Sequence, residues 1–119
     1  MTNQERMELL QMLAAESQYN SPEKNMSELL GILDDSEIVP EPDKYYVFIY
    51  KAKTRGVKYD AHPLVLVTAV FNWGFIGYNI HWRQSRQYTW GEVVSNLYEL
   101  TAAEAKVVTP IPIARFKTA

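Results

Sequence analysis

Aromatic side chains are confined almost entirely to one part of the chain, and this restricts where a hydrophobic core can form. Fourteen of the fifteen aromatic residues follow residue 43, and Tyr19 is the exception. Aromatic side chains bury large apolar areas and dominate the energetics of protein cores. The sequence therefore predicts a compact domain at residues 44–119, in a chain whose 119 residues are enough for one domain.

Charge divides the chain at the same place. Residues 1–43 carry ten acidic and two basic residues, a net charge of −8, whereas residues 44–119 carry four acidic and ten basic residues, a net charge of +6. Such an asymmetry is typical of an interaction arm or of a face that binds a polyanion. We therefore predict an acidic helical arm at residues 1–43, attached to a small β-rich domain at residues 44–119.

The arm shows two helical patterns that end at a proline-rich hinge. Residues 2–16 are predicted to form a helix with Thr2 or Asn3 as its N-cap, and Leu9, Leu10 and Leu13, with Met12 beside them, form its apolar stripe. Ser21-Pro22 is a typical start for a second helix. Both helices are short for independent stability in water, so we expect them to dock on their own domain or on a partner. Pro40-Glu41-Pro42 favours an extended connector and marks the predicted boundary.

The second half shows strand patterns. Residues 45–50 and 64–71 are rich in β-branched and aromatic side chains, as strands are. Asn72-Trp73-Gly74 is a hairpin signal, and residues 75–82 alternate as a returning strand does. Thr89 with Glu92 forms a capping-box pattern that predicts a covering helix over the sheet.

Two further elements complete the predicted fold. Thr101 with Glu104 repeats the capping-box pattern and predicts a short helical turn. Residues 109–116 contain two prolines, which cannot donate to a strand ladder, so we expect an edge strand there. The predicted class is α+β: a small SH3-like, mostly antiparallel β-barrel. The alternative is an open, curved sheet with one covering helix.

Catalytic and metal-binding patterns are weak. The chain has no cysteine, and no apolar run approaches the roughly 20 residues that a membrane span needs. Asp60, His62 and His81 could form a two-histidine, one-carboxylate metal site, but their spacing matches no tight ligand motif. Glu92 and Glu104 are explained as capping residues. We expect no enzymatic activity, no catalytic residue, no metal site, no cofactor and no membrane partner.

Basic residues of the second half make nucleic acid one candidate partner. The possible nucleic-acid patch consists of Lys51, Lys53, Arg55, Lys58, Arg83 and Arg86. Single-strand binders combine such a patch with aromatic side chains on which bases stack. The chain's pI near 5.7 and the competing negative charge of the arm rank this alternative second.

Assembly with other proteins is the preferred interpretation. Amphipathic helices can dock in a neighbour's groove, and edge strands can add to another chain's sheet. The predicted partner-binding residues of the arm are Leu9, Leu10, Leu13, Met26, Leu29, Leu30 and Leu33. The tail from Pro110 to Phe116 is a second predicted contact, and the partner could be another protein or a second copy of the chain.

Two strand segments carry a more specific pattern. They are Tyr59-Asp60-Ala61-His62-Pro63-Leu64-Val65-Leu66-Val67 and Gly74-Phe75-Ile76-Gly77-Tyr78-Asn79-Ile80-His81-Trp82, continued by Arg86-Gln87-Tyr88-Thr89-Trp90. This pattern resembles a family of small structural or assembly proteins from contractile-tailed phages, especially marine cyanophages. The resemblance covers about residues 44–100 and does not include the acidic arm.

The resemblance implies a virion structural protein of the tail, baseplate or neck. Its partners would be other phage structural proteins, and its location the virion, assembled in the host cytoplasm. Related sequences are also labelled as DNA-end-associated, so the resemblance leaves the nucleic-acid alternative open. It brings no catalytic residues.

Overall fold

The computed structural model describes residues 1–33 and 36–119, which form helices and strands of an α+β fold. The helices are α1 (Asn3–Glu16), α2 (Pro22–Leu33) and α3 (Ala102–Val108), with short 3₁₀ turns at Ser17–Tyr19 and Trp90–Glu92. The strands are β1 (Ser36–Glu37), β2 (Tyr45–Val47), β3 (Lys58–Asp60), β4 (Leu64–Val70), β5 (Gly74–Asn79), β6 (Gln84–Thr89), β7 (Leu97–Leu100) and β8 (Phe116–Thr118). None of the described helices combines the length and apolarity needed to cross a membrane.

Helices α1 and α3 begin with the capping boxes that their sequences predict. The Thr2 hydroxyl accepts a hydrogen bond from the Glu5 N–H at 3.1 Å, and the Glu5 carboxylate accepts one from the Thr2 N–H. Thr101 and Glu104 make the same reciprocal pair at the start of α3. These bonds satisfy backbone donors that have no partner inside the helix.

The main sheet has six antiparallel strands in the order β1-β7-β2-β4-β5-β6, and β3 pairs with β8 in a separate two-stranded sheet. Strands β4, β5 and β6 follow one another directly as a meander. Strand β7 then crosses to pair with β2 on one side and β1 on the other. This crossing leaves β1 and β6 as the two edges of the main sheet.

The two faces of the main sheet bury different cores. On one face, the helices pack through Leu10, Leu13, Met26, Leu29, Leu33, Val47, Leu64, Leu100, Val108, Ile111 and Ile113. The other face carries an aromatic core in which Phe48 lies edge-on to Tyr88, with ring centroids 5.3 Å apart. Alternation along β2 explains the split, because Val47 points to the helices and Tyr46 to the aromatic core.

A nearly buried ion pair fastens α1 to the rest of the molecule. The Arg6 guanidinium donates to the Glu104 carboxylate at 2.7 Å, and it also donates to the carbonyl oxygens of Leu33 and Glu99. The bonds join α1 to α2, α3 and β7. Together with the apolar core, they make both N-terminal helices part of the packed structure.

The predicted α+β class, with a helical N-terminal region and a mostly antiparallel sheet, is confirmed. Strands β1 and β6 do not pair with each other in the described chain, so the main sheet is open and an SH3-like barrel is not confirmed. The domain boundary at residues 43 and 44 stays a prediction. The shared core shows only that the helices contact the β-rich half.

One predicted helix is wrong. Thr89 ends strand β6, Trp90–Glu92 forms a 3₁₀ turn, and Leu97 begins strand β7. Val93, between the turn and β7, forms an isolated β-bridge with Tyr50. The Glu92 carboxylate bonds to the Tyr50 hydroxyl and to the Lys53 N–H instead of capping a helix. Strand β6 was absent from the prediction because its sequence, Gln84-Ser85-Arg86-Gln87-Tyr88-Thr89, is almost wholly polar.

Candidate functional site

Asp60, His62 and His81, the residues predicted as candidates for a metal site, make hydrogen bonds within the fold. The buried Asp60 carboxylate accepts hydrogen bonds from the backbone N–H groups of His62 and Arg115 and from the Asn79 amide. The ring nitrogens of His62 and His81 approach the carbonyl oxygens of Ile113 and Thr109, at 2.8 and 2.9 Å. Among the described residues, no cluster of three or more histidines and carboxylates is placed to hold a metal ion.

Most of the apolar residues predicted for a partner contact of the arm are buried within the chain itself. Leu10, Leu13, Met26, Leu29 and Leu33 belong to the helix-side core, and Leu30 packs against it. Leu9 is half-buried. A partner could reach these side chains only if the helices separated from the sheet. Their partner-binding role stays a prediction.

The tail makes fewer sheet contacts than predicted. Only Phe116–Thr118 forms a strand, which pairs with β3 and not with an edge of the main sheet. Upstream, the Pro112 carbonyl accepts a hydrogen bond from the buried Asn25 amide, and Arg115 forms an ion pair with Glu23 at 2.7 Å. The tail therefore links the helical layer to the small sheet.

The structure brings part of the predicted nucleic-acid patch together around Arg86. The Arg86 guanidinium lies 4.0 Å from the centroid of the Trp82 ring and donates to the Lys58 carbonyl oxygen at 2.7 Å. Lys58 also lines a shallow depression with Trp82, Phe116 and Lys117. Phe116 and Lys117 are a stacking candidate and a cation that the sequence analysis did not include.

A groove lies between β6 and residues 50–60, and the remaining predicted cations lie in the chain segments next to its walls; we call it the basic groove. Its volume is about 240 Å³, and Arg86, Gln87, Tyr88 and Thr89 form its β6 wall. Lys51, Lys53 and Arg55 lie in the loop that leads to its opposite wall, and Arg83 lies in the turn before β6. The groove opens on the aromatic side of the sheet.

The acidic helices do not neutralise these cations. None of the six predicted cations forms an ion pair with another described residue, whereas Arg6, Lys44 and Arg115 do. The helices pack on the other face of the sheet. This placement removes one of the two reasons for ranking nucleic acid second, and the low pI of the chain remains as the other.

Two carboxylates in the basic groove are already used by the fold. Asp60 is bonded as described above. The Glu92 carboxylate accepts from the Tyr50 and Thr89 hydroxyls and from the Lys53 N–H. Burial would raise the pKa of Glu92, but the hydrogen bonds from Thr89, Lys53 and Tyr50 outweigh it and lower the pKa. For Tyr88, which also lines the groove, burial raises the pKa of the hydroxyl.

A second surface is apolar, and the sequence analysis did not identify it. At the β4–β5 turn, the rings of Phe71 and Trp73 stack with centroids 5.2 Å apart, and both are more than 40% exposed. Trp90 adjoins this pair, since its ring N–H donates to the Asn72 carbonyl oxygen and its backbone N–H to that of Trp73.

The surface continues from Trp90 along the outside of the molecule. Trp90 lines a depression of about 260 Å³ with Ile38, Val39, Val93, Ser95, Asn96 and Leu97. Ile38 is 80% exposed, and none of the described residues that line the depression is charged. We call Ile38, Val39, Phe71, Trp73, Trp90 and Val93 the apolar surface. Exposed contiguous apolar patches mark interaction sites in soluble proteins.

One sequence signal for this surface existed but pointed elsewhere. The capping-box pattern at Thr89 predicts a helix in which Trp90 and Val93 belong to the apolar face, and the sequence places Trp73 in a turn, as an exposed aromatic residue on which a base could stack. Ile38 and Val39 lie just before the proline hinge, and nothing in the local sequence explains why two aliphatic side chains are exposed there. Their proximity to Trp90 depends on the pairing of β1 with β7, which is a long-range contact.

The chain was compared with family models, with curated proteins and with solved structures, and none of the three comparisons found a match.

Proposed function

We propose that this chain is a non-enzymatic assembly protein that contacts another protein through its apolar surface. The resemblance described above supports placing it in the particle of a contractile-tailed phage, as part of the tail, baseplate or neck. The contact differs from the predicted one, since the arm's apolar side chains are used inside the molecule. Phe71 and Trp73 replace them as the main contact candidates.

The exposed Phe71–Trp73 stack carries this proposal. A few residues supply most of the binding energy in protein interfaces, and tryptophan is one of the residue types enriched among them. Here the two rings stand at a hairpin tip, where burial in the chain's own core does not explain them. The depression beside Trp90 would add an apolar pocket to the same contact.

Incorporation into particles tests the proposal. Tagged full-length chain would be expressed in cells that produce the encoding phage, and the particle-bound fraction would be measured after sedimentation. The double variant Phe71→Ser and Trp73→Ser should remain folded but lose incorporation. Tyr19→Ser is the matched control, because Tyr19 is 86% exposed and lies outside the apolar surface. Normal incorporation of the double variant would contradict the proposal.

Nucleic-acid binding is the second candidate, and the arrangement of the basic groove favours it. The unpaired cations lie near Trp82 and near Phe116, which is more than half exposed. Proteins that bind single strands combine these two features. DNA or RNA would therefore bind across the groove and the depression beside it.

Salt dependence separates this candidate from protein assembly. Binding of a labelled oligothymidine should weaken steeply with added salt, because phosphate contacts release counterions. The triple variant Lys51→Gln, Lys53→Gln and Arg55→Gln should lower both the affinity and the salt slope. Lys24→Gln, on helix α2, is the control. Absence of binding at low salt would reject this candidate.

A further inference from the structure

We propose that the edge strand β6 accepts an extended acidic segment of a partner protein as an added β-strand. Strand β6 spans Gln84–Thr89 and ends the main sheet, whereas the other edge, β1, spans only Ser36–Glu37. An exposed edge strand offers ladder groups to another chain, and β-strand addition is a common mode of peptide recognition. This inference goes beyond the proposed function and does not depend on the apolar surface.

The register shows which backbone groups of β6 are free. The Trp90 N–H donates to the Trp73 carbonyl oxygen, and the pairs Gly77 with Arg86 and Tyr78 with Ser85 continue the ladder. Hydrogen-bonded and non-hydrogen-bonded pairs alternate in an antiparallel ladder. Trp90 forms a hydrogen-bonded pair with Trp73, so every second residue before it does the same with its partner on β5. The backbone N–H and C=O groups of Arg86, four residues before Trp90, therefore point to β5.

The backbone groups of Ser85 and Gln87 consequently point away from the sheet. Within the described chain, the outward N–H groups of these two residues donate to no other protein group. Both residues are exposed. Strand β6 thus presents free donors and acceptors near its middle, and it contains no proline that would block pairing.

The basic groove provides room beside this edge. Its far wall includes β3, whose Lys58 carbonyl oxygen faces away from β8 and accepts from Arg86. The groove separates the two walls. Among the described residues, Arg86 joins β6 to β3 directly, and the Glu92 carboxylate joins Thr89 to Tyr50 at one end of the groove. A segment laid along β6 would lie between Arg86 and the loop at residues 51–57.

Charge decides which segment fits. Arg86 lines the groove, and Lys58 and Lys117 line the depression beside it. Lys53 follows Ala52, which lines the groove. The two carboxylates of the groove, those of Asp60 and Glu92, already accept hydrogen bonds within the chain, and none of the four cations forms an ion pair with a described carboxylate. Two copies of β6 placed side by side would bring like charges together, which disfavours self-pairing. An acidic segment would instead find unpaired cations on both sides. The same cations could serve only to guard the edge against aggregation, and binding experiments separate these two roles.

Fluorescence anisotropy with the full-length chain provides the test. The probe is a labelled decapeptide of alternating glutamate and valine, which favours an extended conformation. A decapeptide of alternating glutamate and proline keeps the charge but lacks half of the N–H donors, and a lysine–valine decapeptide reverses the charge. We expect binding of the glutamate–valine peptide, at least about tenfold weaker binding of the proline peptide, and none of the lysine peptide.

A backbone variant tests the site itself. Gln87→Pro removes an outward N–H without touching the bonds to β5, and Gln87→Ala is the matched control. The proline variant should bind the glutamate–valine peptide at least about tenfold more weakly, whereas the alanine variant should match the wild type. Unfolding curves establish that both variants are folded.

Amide hydrogen exchange on the wild-type chain tests the site without any substitution, so the result does not depend on whether a variant folds. In the wild-type chain, the bound peptide should slow exchange of amide hydrogens at β6 and leave α2 unchanged. Three results would each overturn the proposal: no binding of the glutamate–valine peptide at low salt, equal binding of the proline peptide, or no protection of β6. Each of these results would indicate that the cations only protect the edge strand against aggregation.

Discussion

Two glycines affect the stability of the fold in different ways, because a Cβ would clash at one position and fit at the other. An ideal Cβ on Gly74 would lie 1.9 Å from the Tyr88 carbonyl oxygen, so no larger residue fits against strand β6 there. Gly31 lies in helix α2, and a Cβ on it would meet no atom within 4 Å. Glycine at the first position is a packing requirement, whereas at the second it only lowers helix stability.

Substituting alanine at these two glycines should therefore change stability in opposite directions. Gly31→Ala should raise the free energy of unfolding by about 0.5–1 kcal/mol, because alanine loses less backbone entropy in a helix. Gly74→Ala should lower it by about 1–3 kcal/mol or more, since the backbone of β6 must move. Urea denaturation measures both. Equal stability of Gly74→Ala and the wild type would show that the β5–β6 contact is looser than described.

Asn25 is a buried polar residue that holds three parts of the chain together. Its side-chain amide donates to the carbonyl oxygens of Ser17 and Pro112, at 3.0 and 2.9 Å. The residue has no exposed surface. These bonds connect the end of α1, helix α2 and the C-terminal tail.

The variant Asn25→Asp should destabilise the protein at neutral pH, because a carboxylate would face two carbonyl oxygens and could donate to neither. Each carbonyl left without its donor costs about 1–3 kcal/mol. The loss should shrink at low pH, where a protonated carboxyl can donate one of the bonds. Thermal unfolding across pH measures this. A pH-independent loss would indicate a packing defect instead.

At the scale of elements, short sequence patterns predicted a helix or strand correctly where its structure depends on residues close by in the sequence. Thr2 with Glu5 and Thr101 with Glu104 marked real helix starts, since a capping box closes within one turn. Thr89 with Glu92 has the same spacing, but Glu92 is drawn to Tyr50 and Lys53, far away in sequence. No local pattern reveals such a competing partner.

The hydrogen bonds of Glu92 should make the anchoring of the 3₁₀ turn sensitive to acid. They lower its pKa in the folded chain despite burial, so the stabilisation is complete above the ordinary pKa of about 4.5 and is lost as pH falls through the lower, folded value. Glu92→Gln should therefore be less stable than the wild type at neutral pH, and the difference should narrow in acid.

A matched exposed glutamate serves as the control for this pH dependence. Glu28 lies on α2 and is exposed, and no hydrogen bond or ion pair is seen between its carboxylate and another described residue. The difference in unfolding free energy between the wild type and Glu28→Gln should stay nearly constant from neutral to acidic pH. A wild-type minus Glu92→Gln difference that stays constant into acid would contradict the assigned role of the carboxylate.

At the scale of the whole molecule, composition located the aromatic core but not the surfaces. Tyr46, Phe48 and Tyr88 lie in the core that the aromatic distribution predicted. The apolar surface joins Ile38 to Trp90 through strand pairing, and the basic groove joins Arg86 to Lys58 across two sheets. Both depend on tertiary contacts between residues distant in sequence, which charge and hydropathy patterns do not encode.

The predicted division of the chain into an arm at residues 1–43 and a domain at residues 44–119 can be tested by removing the helices. Composition predicts that residues 44–119 fold without the helices. The shared core favours the opposite outcome, because Leu10, Met26 and Leu29 cover the sheet face that carries Val47 and Leu64. Removing the helices would expose that face to water, at about 25 cal/mol for each Å² of apolar surface.

Deleting residues 1–39 should therefore leave a chain that does not fold cooperatively on its own. We expect poor dispersion of its amide NMR signals and aggregation on size-exclusion chromatography. Adding a separate peptide of residues 1–39 should restore the folded spectrum, and the same peptide with Leu29→Asp should not, because a carboxylate cannot enter the apolar core. A sharp, cooperative unfolding transition of residues 40–119 alone would instead establish the boundary near Pro40-Glu41-Pro42 and return the helices to the role of an arm.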